Sequence, residues 1–315
     1  MDTAQKLQRI KEMKPALAKL ASPCRLCAHK CATNRQSGKK GMCRAGSKPA
    51  VYSYSPHHGE EPPLSGHRGS GTIFFTHCNM QCAYCQNYSF SQESDCEELE
   101  TEALADRMLE LGRLGCHNIN LVSPTHYAYK IVSALEIALE KSLDIPIVYN
   151  TGGYDSLELI KLLDGIVDIY LTDIRYAKSE MALKYSDAPR YAENSRLITR
   201  EMFRQAGILK LDKEGIAQKG VIVRLLILPD DVSGTVDTLK FLKKDVSKDI
   251  FLSVMSQYHP TYKAEHHPQI ARRINKSEYK KVIDEVEKLG FANGWIQGFL
   301  TDHERFLGTS IKPTR

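Results

Sequence analysis

Three cysteines, Cys78, Cys82 and Cys85, fall within eight positions of FFTHCNMQCAYCQN, directly after an apolar run. Thiolates this closely spaced bind soft metals or iron–sulfur clusters. A structural zinc site takes four ligands, and a cuboidal four-iron cluster has four irons to ligate. Three thiolates at a C-x3-C-x2-C spacing therefore hold three irons and leave the fourth open. An open iron can take an external chelating ligand, such as the amino and carboxylate groups of a methionine. The competing arrangement is a zinc site completed by His77. Neighbouring residues on a strand point to opposite faces, which places His77 poorly beside Cys78.

A second group lies upstream: Cys24, Cys27, Cys31 and Cys43 run C-x2-C-x3-C-x11-C through CRLCAHKCATNRQSGKKGMC. Four thiols in loop-rich sequence make a closed, four-coordinate site, which would tie down a segment too poor in apolar residues to fold alone. Zinc and a second iron–sulfur cluster both fit, as do disulfides or free thiols, because spacing does not decide among them. Cys96 and Cys116 sit in helix-like sequence and read as small, buried or partly exposed thiols. The pairs His57–His58 and His266–His267 read as solvated loop residues.

The elements that must position these groups alternate regularly. Residues 3–20 look helical, and 21–70 are rich in Gly, Pro, Ser and Cys with little periodicity. From Gly71 short apolar strands appear at TIFF (72–75), INLV (119–122), PIVY (146–149), DIYL (168–171), VIVRLLIL (221–228) and IFLSVM (250–255). Helical stretches such as EELETEALADRMLELGRLG separate them. Strands alternating with helices imply a parallel sheet with right-handed crossovers, either doubly wound and open or a partly closed barrel. LKLDKEGIAQKG (209–220) reads as a turn-containing insertion before the fifth strand.

In such sheets chemistry collects at the carboxyl ends of the strands. The three thiols follow strand one, SPTHY (123–127) strand two, NTGGYD (150–155) strand three and TDIR (172–175) strand four. Arg224 lies within strand five and SQYHP (256–260) follows strand six. Together these segments describe a cleft. Arg224 in an apolar strand requires a partner or a ligand, since an unpaired buried charge is costly. The His-rich loop after strand six reads as a lid.

Composition sets the boundaries. Nine cysteines in a chain of 315 residues, seven of them clustered, point to metal chemistry in a reducing compartment rather than to a disulfide framework. The N-terminus has no apolar core of signal-peptide length and no segment reaches membrane-span length, so the expected location is the cytoplasm. A net charge of +5 spread over scattered Lys and Arg is a weak nucleic-acid signal.

The C-x3-C-φ-C spacing with an aromatic, Tyr84, at φ resembles the radical S-adenosylmethionine (radical SAM) superfamily. The resemblance runs over roughly residues 70–300 and is strongest to the pyruvate formate-lyase activating enzyme-like branch. It implies a partial (β/α)6 TIM-like barrel, a 4Fe-4S cluster on Cys78, Cys82 and Cys85, and S-adenosyl-L-methionine (SAM) as the ligand of the open iron. It also implies reductive cleavage to a 5′-deoxyadenosyl radical that abstracts a substrate hydrogen. The domains would then be an N-terminal helix and Cys-rich segment (1–70), the barrel (71–275), and a C-terminal helix and tail closing it (276–315).

By the same resemblance Tyr84, Asn150, Asp173, Arg175, Arg224 and His259 surround SAM: the carboxylate on Arg or Lys, the ribose on Asp or His, the adenine near the aromatic. Arg175 stands where the family has Lys. The family's Gly-Gly-Glu after strand two is replaced by Ser123-Pro124-Thr125-His126, with no acidic residue; Thr125 is the substitute contact, and His126 reads as a structural residue. Implied partners are an electron donor such as flavodoxin or ferredoxin and an unknown substrate, either a small molecule or a backbone glycine of a protein. The alternative is a non-catalytic module that binds nucleic acid or protein through the leader, whose cations are Arg25, Lys30, Arg35, Lys39, Lys40, Arg44 and Lys48.

Overall fold

A computed structural model describes residues 2–93 and 96–299, and the backbone of 308–310. Among the described residues ten strands form one open sheet in the order β1-β2-β3-β4-β5-β7-β8-β9-β10, with β6 paired to β7 alone. They are β1 (Val51–His57), β2 (Ser70–Phe75), β3 (Ile119–Val122), β4 (Ile147–Thr151), β5 (Ile169–Asp173), β6 (Lys210–Leu211), β7 (Ala217–Leu226), β8 (Phe251–Met255), β9 (Gly294–Gln297) and β10 (Gly308–Ser310). All neighbours from β2 to β9 run parallel, whereas β1 lies antiparallel on β2 and β10 on β9. All six expected strands are present. The curved sheet is a partial TIM-like barrel that does not close.

The helices are α1 (Thr3–Ala21), α2 (Pro62–Ser65), α3 (Tyr88–Ser91), α4 (Thr101–Arg113), α5 (Ala128–Glu140), α6 (Leu157–Leu162), α7 (Ser179–Ser186), α8 (Tyr191–Ala206), α9 (Thr235–Asp245) and α10 (Lys276–Leu289). α1 starts at a capping box formed by Asp2 and Gln5 and buries Ile10, Leu17 and Leu20 on one face. Its Lys6 pairs with Asp168 at 2.5 Å, and the same carboxylate oxygen accepts from the amide of Ile147 at 2.8 Å. The N-terminal helix is thereby fixed to the amino ends of the strands, opposite the chemistry.

Strand alternation sorts the core into two layers. Ile147, Tyr149, Tyr170, Val221 and Val223 face the helices. Val148, Ile169, Leu171 and Ile222 face the concave side, where Leu64 of α2 and Trp295 of β9 pack against them. Leu64 is fully buried, so α2 plugs the barrel from below. One pleat further along three of these strands, Val148 is followed on its face by Asn150, Leu171 by Asp173 and Ile222 by Arg224. The polar layer thus sits directly on the apolar one.

Several features were not anticipated. Residues 21–70 contribute β1 and α2, although β1 has no burial alternation that a pattern search would find. The segment before the fifth strand is a short hairpin, β6 against β7. Of the expected C-terminal helix and tail (276–315), α10, β9 and β10 are described, and 300–307 and 311–315 lie outside the described residues. β9, reading GWIQ, adds a seventh parallel strand.

Candidate active site at the carboxyl ends of the strands

β2 delivers the chain to the thiol loop through His77, whose backbone is left-handed (φ 65°). The loop is held from several sides. The amides of Gln81 and Ala83 donate to the carbonyls of Ser186 and Tyr185 at 2.9 and 2.8 Å, and Asn79 Nδ2 donates to the carbonyl of Tyr154 at 3.0 Å. These contacts anchor it to the end of α7 and to the loop after β4. Cys78 Sγ accepts from the amide of Met80 at 3.4 Å, and Cys82 Sγ from Ser186 Oγ at 3.0 Å. Cys85 Sγ lies 3.3 Å from Ser91 Oγ.

Burial pushes the Cys78 thiol up to about 12, and the charge of Cys82 adds to it; burial raises Cys85 as well. Thiols in this setting ionise when a metal cation takes the place of the proton, while the Arg175 guanidinium favours the thiolates at both positions. Among the described residues no three His, Cys, Asp or Glu side chains are arranged as a closed metal-binding set. The fit to a cluster therefore rests on the donors: three sulfurs of one loop, flanked by N–H and O–H groups that stabilise negative charge.

Beside the loop is a cleft of about 330 Å³, within the range of small-molecule sites. Phe74 of β2, Val122 of β3, Asn150 of β4, Asp173 of β5, Arg224 and Leu226 of β7 and Met255 of β8 line it, with Tyr84, Cys85 and Arg175 above. Each strand from β2 to β8 in the main path contributes to the wall. Arg175 Nη2 donates to Asp173 Oδ2 at 2.5 Å, and its buried Nε has no partner. Tyr191 Oη braces the pair, accepting from the Arg175 amide at 2.9 Å and donating to the carbonyl of Gly152 at 2.8 Å. Gly153, left-handed at φ +79°, approaches so closely that a Cβ there would lie 2.3 Å from the Asp173 carbonyl oxygen.

Tyr84, Asn150, Asp173, Arg175 and Arg224 line the cleft together, and Thr125 and His259 are not among its lining residues. Thr125 lies on a 3-10 turn (Thr125–Tyr127) and is 1% exposed, and its hydroxyl donates to Asp155 Oδ1 at 2.7 Å. Asp155 also accepts from Tyr149 Oη at 2.8 Å and Thr151 Oγ1 at 2.6 Å, so this buried network takes the Thr125 proton and leaves its oxygen able to accept. Of the segment after β8, Gln257 and Tyr258 line the cleft, directly before His259. His126 is structural: Nε2 lies 2.9 Å from the carbonyl oxygen of Thr76, and burial with Arg35 nearby pushes its pKa down to about 3.

Sequence reasoning missed Glu60 and Glu61. Arg224 donates to Glu61 through Nε at 2.6 Å and Nη2 at 2.7 Å, to Glu60 through Nη2, and to Asn150 Oδ1 through Nη1 at 3.4 Å. The partner that Arg224 required is thus a carboxylate pair 163 and 164 positions away, on the connection between β1 and α2. His57, read as a solvated loop residue, ends β1 and lines the same cleft. The only local signal was the adjacency of the two glutamates to Pro62-Pro63.

The family described as the Radical SAM superfamily matches residues 72–242. "Uncharacterized protein MJ0674" of Methanocaldococcus jannaschii is 31% identical over 288 residues, covering 88% of this chain and 78% of that protein. The chain belongs to the radical SAM superfamily. Superfamily members use a 4Fe-4S cluster and SAM. Among solved structures, methylornithine synthase (PylB) matches with a TM-score of 0.45 and 16% identity over 67% of this chain and 59% of that one. Streptococcus suis SuiB bound to S-adenosylmethionine matches with a TM-score of 0.47 and 9% identity over 70% and 48%. The first of these matches thus spans less than two thirds of its partner's length. Among the described residues no helix is long and apolar enough to cross a membrane.

In this radical SAM protein the four leader cysteines lie close enough to influence one another's charge, and burial pushes Cys27 up to about 12. Arg35 Nη2 donates to Cys24 Sγ at 3.3 Å and Cys43 Sγ at 3.2 Å, and Thr33 Oγ1 donates to Cys31 Sγ at 3.4 Å. The leader touches the thiol loop directly, since His29 Nε2 lies 3.0 Å from the Asn79 carbonyl oxygen. Several leader cations are used internally: Lys30 on Glu158, Arg35 on the thiols, Arg44 on Gln92 and Lys48 on Glu100.

Proposed function

We propose that this protein cleaves SAM reductively in the cleft beside Cys78, Cys82 and Cys85, which hold the cluster, and that hydrogen abstraction from a second substrate follows. The cluster, when bound and reduced, supplies the electron that splits the sulfonium into methionine and a 5′-deoxyadenosyl radical. The observation that carries the reading is the meeting of a three-thiol loop with a cleft that presents a guanidinium lacking one partner. Arg175 Nε, buried without an acceptor, binds the SAM carboxylate, a pairing strengthened by low local dielectric. Asp173 accepts from ribose hydroxyls and Asn150 offers an amide beside it. Tyr84, fully enclosed among Tyr176 and Tyr258, shields the site from water, which protects a reactive radical from side reactions.

The leader cysteines Cys24, Cys27, Cys31 and Cys43 hold a structural zinc or an auxiliary cluster in this reading, and residues 1–70 act as a module docked on the barrel. A low-potential donor of the flavodoxin or ferredoxin type supplies the electron. The activating enzyme-like resemblance makes a backbone glycine of a partner protein one substrate class and a small molecule the other. The test is anaerobic reconstitution with iron and sulfide, reduction by dithionite and chromatography of the products. 5′-Deoxyadenosine is expected from the wild-type protein and none from Cys82→Ala; product from both would sink the assignment.

A further inference from the structure

The cleft carries three carboxylates, Glu60, Glu61 and Asp173, against two guanidinium groups, Arg175 and Arg224. Arg175 pairs with Asp173 and Arg224 takes Glu61 bidentately. Glu60 is therefore the surplus charge. It is 6% exposed, and only one of its oxygens, Oε2, accepts from Arg224. Its other oxygen, Oε1, takes no hydrogen bond from the described residues, although the residue lines the cleft. Glu60 thus shares its one guanidinium with Glu61 and turns its second oxygen to the cleft, where a cationic group can meet it.

We propose that Glu60 seats a protonated amine or guanidinium of the second substrate, so that the substrate class of this enzyme is cationic. The inference rests on the SAM-cleavage reading for its second ligand. In that reading Arg175 meets SAM's carboxylate, the open iron would take its amino group, and its sulfonium would face the negative charge that three thiolates give a cluster, so no cationic group of the cofactor is assigned to Glu60. The position agrees. Glu60 and Glu61 are anchored through Arg224 of β7, whose register neighbours are Asp173 of β5 and Ser253 of β8, whereas the thiols follow β2. The site belongs to the connection between β1 and α2, outside the barrel loops that the superfamily shares, as a feature that selects a substrate should.

The test uses the anaerobically reconstituted protein holding SAM, with n-butylammonium, n-butylguanidinium and uncharged n-butanol as probes, and binding read by ligand-observed NMR. Wild type should prefer the cations by about tenfold or more, the value of one charge-assisted hydrogen bond. Glu60→Gln should abolish the preference while changing SAM affinity less than about threefold, and Glu60→Asp should retain part of it. Equal binding of cation and alcohol by wild type overturns the inference, and needs no variant. A tenfold loss of SAM affinity in Glu60→Gln also overturns it, because the carboxylate then serves SAM itself. Absence of 5′-deoxyadenosine with a Glu60-dependent cation preference intact would condemn the SAM-cleavage reading and leave the cation site standing.

Discussion

Removing the carboxylates on Arg224 one at a time and then together should give three different outcomes. Glu61 is fully buried and accepts two hydrogen bonds from Arg224. Glu61→Gln converts one of those acceptors into a donor facing the guanidinium and removes one charge-assisted bond, at a cost of about 2–3 kcal/mol. Glu60 still neutralises Arg224 in that variant. Glu60→Gln leaves the bidentate Glu61 pair whole and removes the surplus negative charge, so it should cost under about 1 kcal/mol. The double variant strands a guanidinium that is 18% exposed with no carboxylate bonded to it, at about 3–5 kcal/mol.

The double variant should therefore exceed the sum of the singles by about 1 kcal/mol. Anaerobic urea unfolding of the three proteins measures this through midpoint and slope. Strict additivity, or equal costs for the two singles, would refute the claim that Glu61 is the pair and Glu60 the surplus. The pH dependence has a definite sign. Burial raises the Glu61 carboxyl, but the charge and hydrogen bonds of Arg224 outweigh it and hold the group below its ordinary 4.5. Its stabilisation is thus complete above that value and is lost as pH falls through the lower folded-state pKa, and Glu61→Gln should flatten this part of the acid limb.

Gly153→Ala should push on the Asp173 carbonyl and Tyr191, disturbing the Asp173–Arg175 pair and weakening SAM binding about tenfold or more; equilibrium dialysis with labelled SAM reads this, and unchanged affinity would detach the pair from SAM. Asp155→Ala leaves the hydroxyls of Thr125, Tyr149 and Thr151 without their shared acceptor and should cost about 3–5 kcal/mol in unfolding experiments, against a much smaller loss for Asp155→Asn. Cys27→Ser should release the leader metal while retaining iron at the thiol loop, and elemental analysis beside Cys82→Ala, which should do the reverse, tells zinc from iron in the leader.

The parts of this architecture that repeat along the chain were legible in it. INLV and its counterparts announce buried parallel strands, and residues two positions beyond the inward apolar ones, Asn150, Asp173 and Arg224, had to share the concave face. The three thiols and Tyr84 carried their spacing openly. The rest depended on distant contacts. Arg224 demanded a partner, but nothing local in GEEPP says that Glu60 and Glu61 cross the barrel to reach it. The bond from Thr125 to Asp155, 30 positions away, was equally hidden, since it forms only when the loop after β4 folds over it. After β8, Gln257 and Tyr258 line the cleft, and a loop has no periodicity that would single them out.

The proposed SAM-binding iron at the three-thiol loop can be tested most directly by spectroscopy on Cys27→Ser, which alters the leader site and keeps the loop cysteines. After reconstitution and reduction, electron paramagnetic resonance should show a reduced cluster whose signal changes on addition of SAM, with coupling to nitrogen-15 when the SAM amino group is labelled. A signal that ignores SAM, or iron that leaves with the leader metal, would contradict the account.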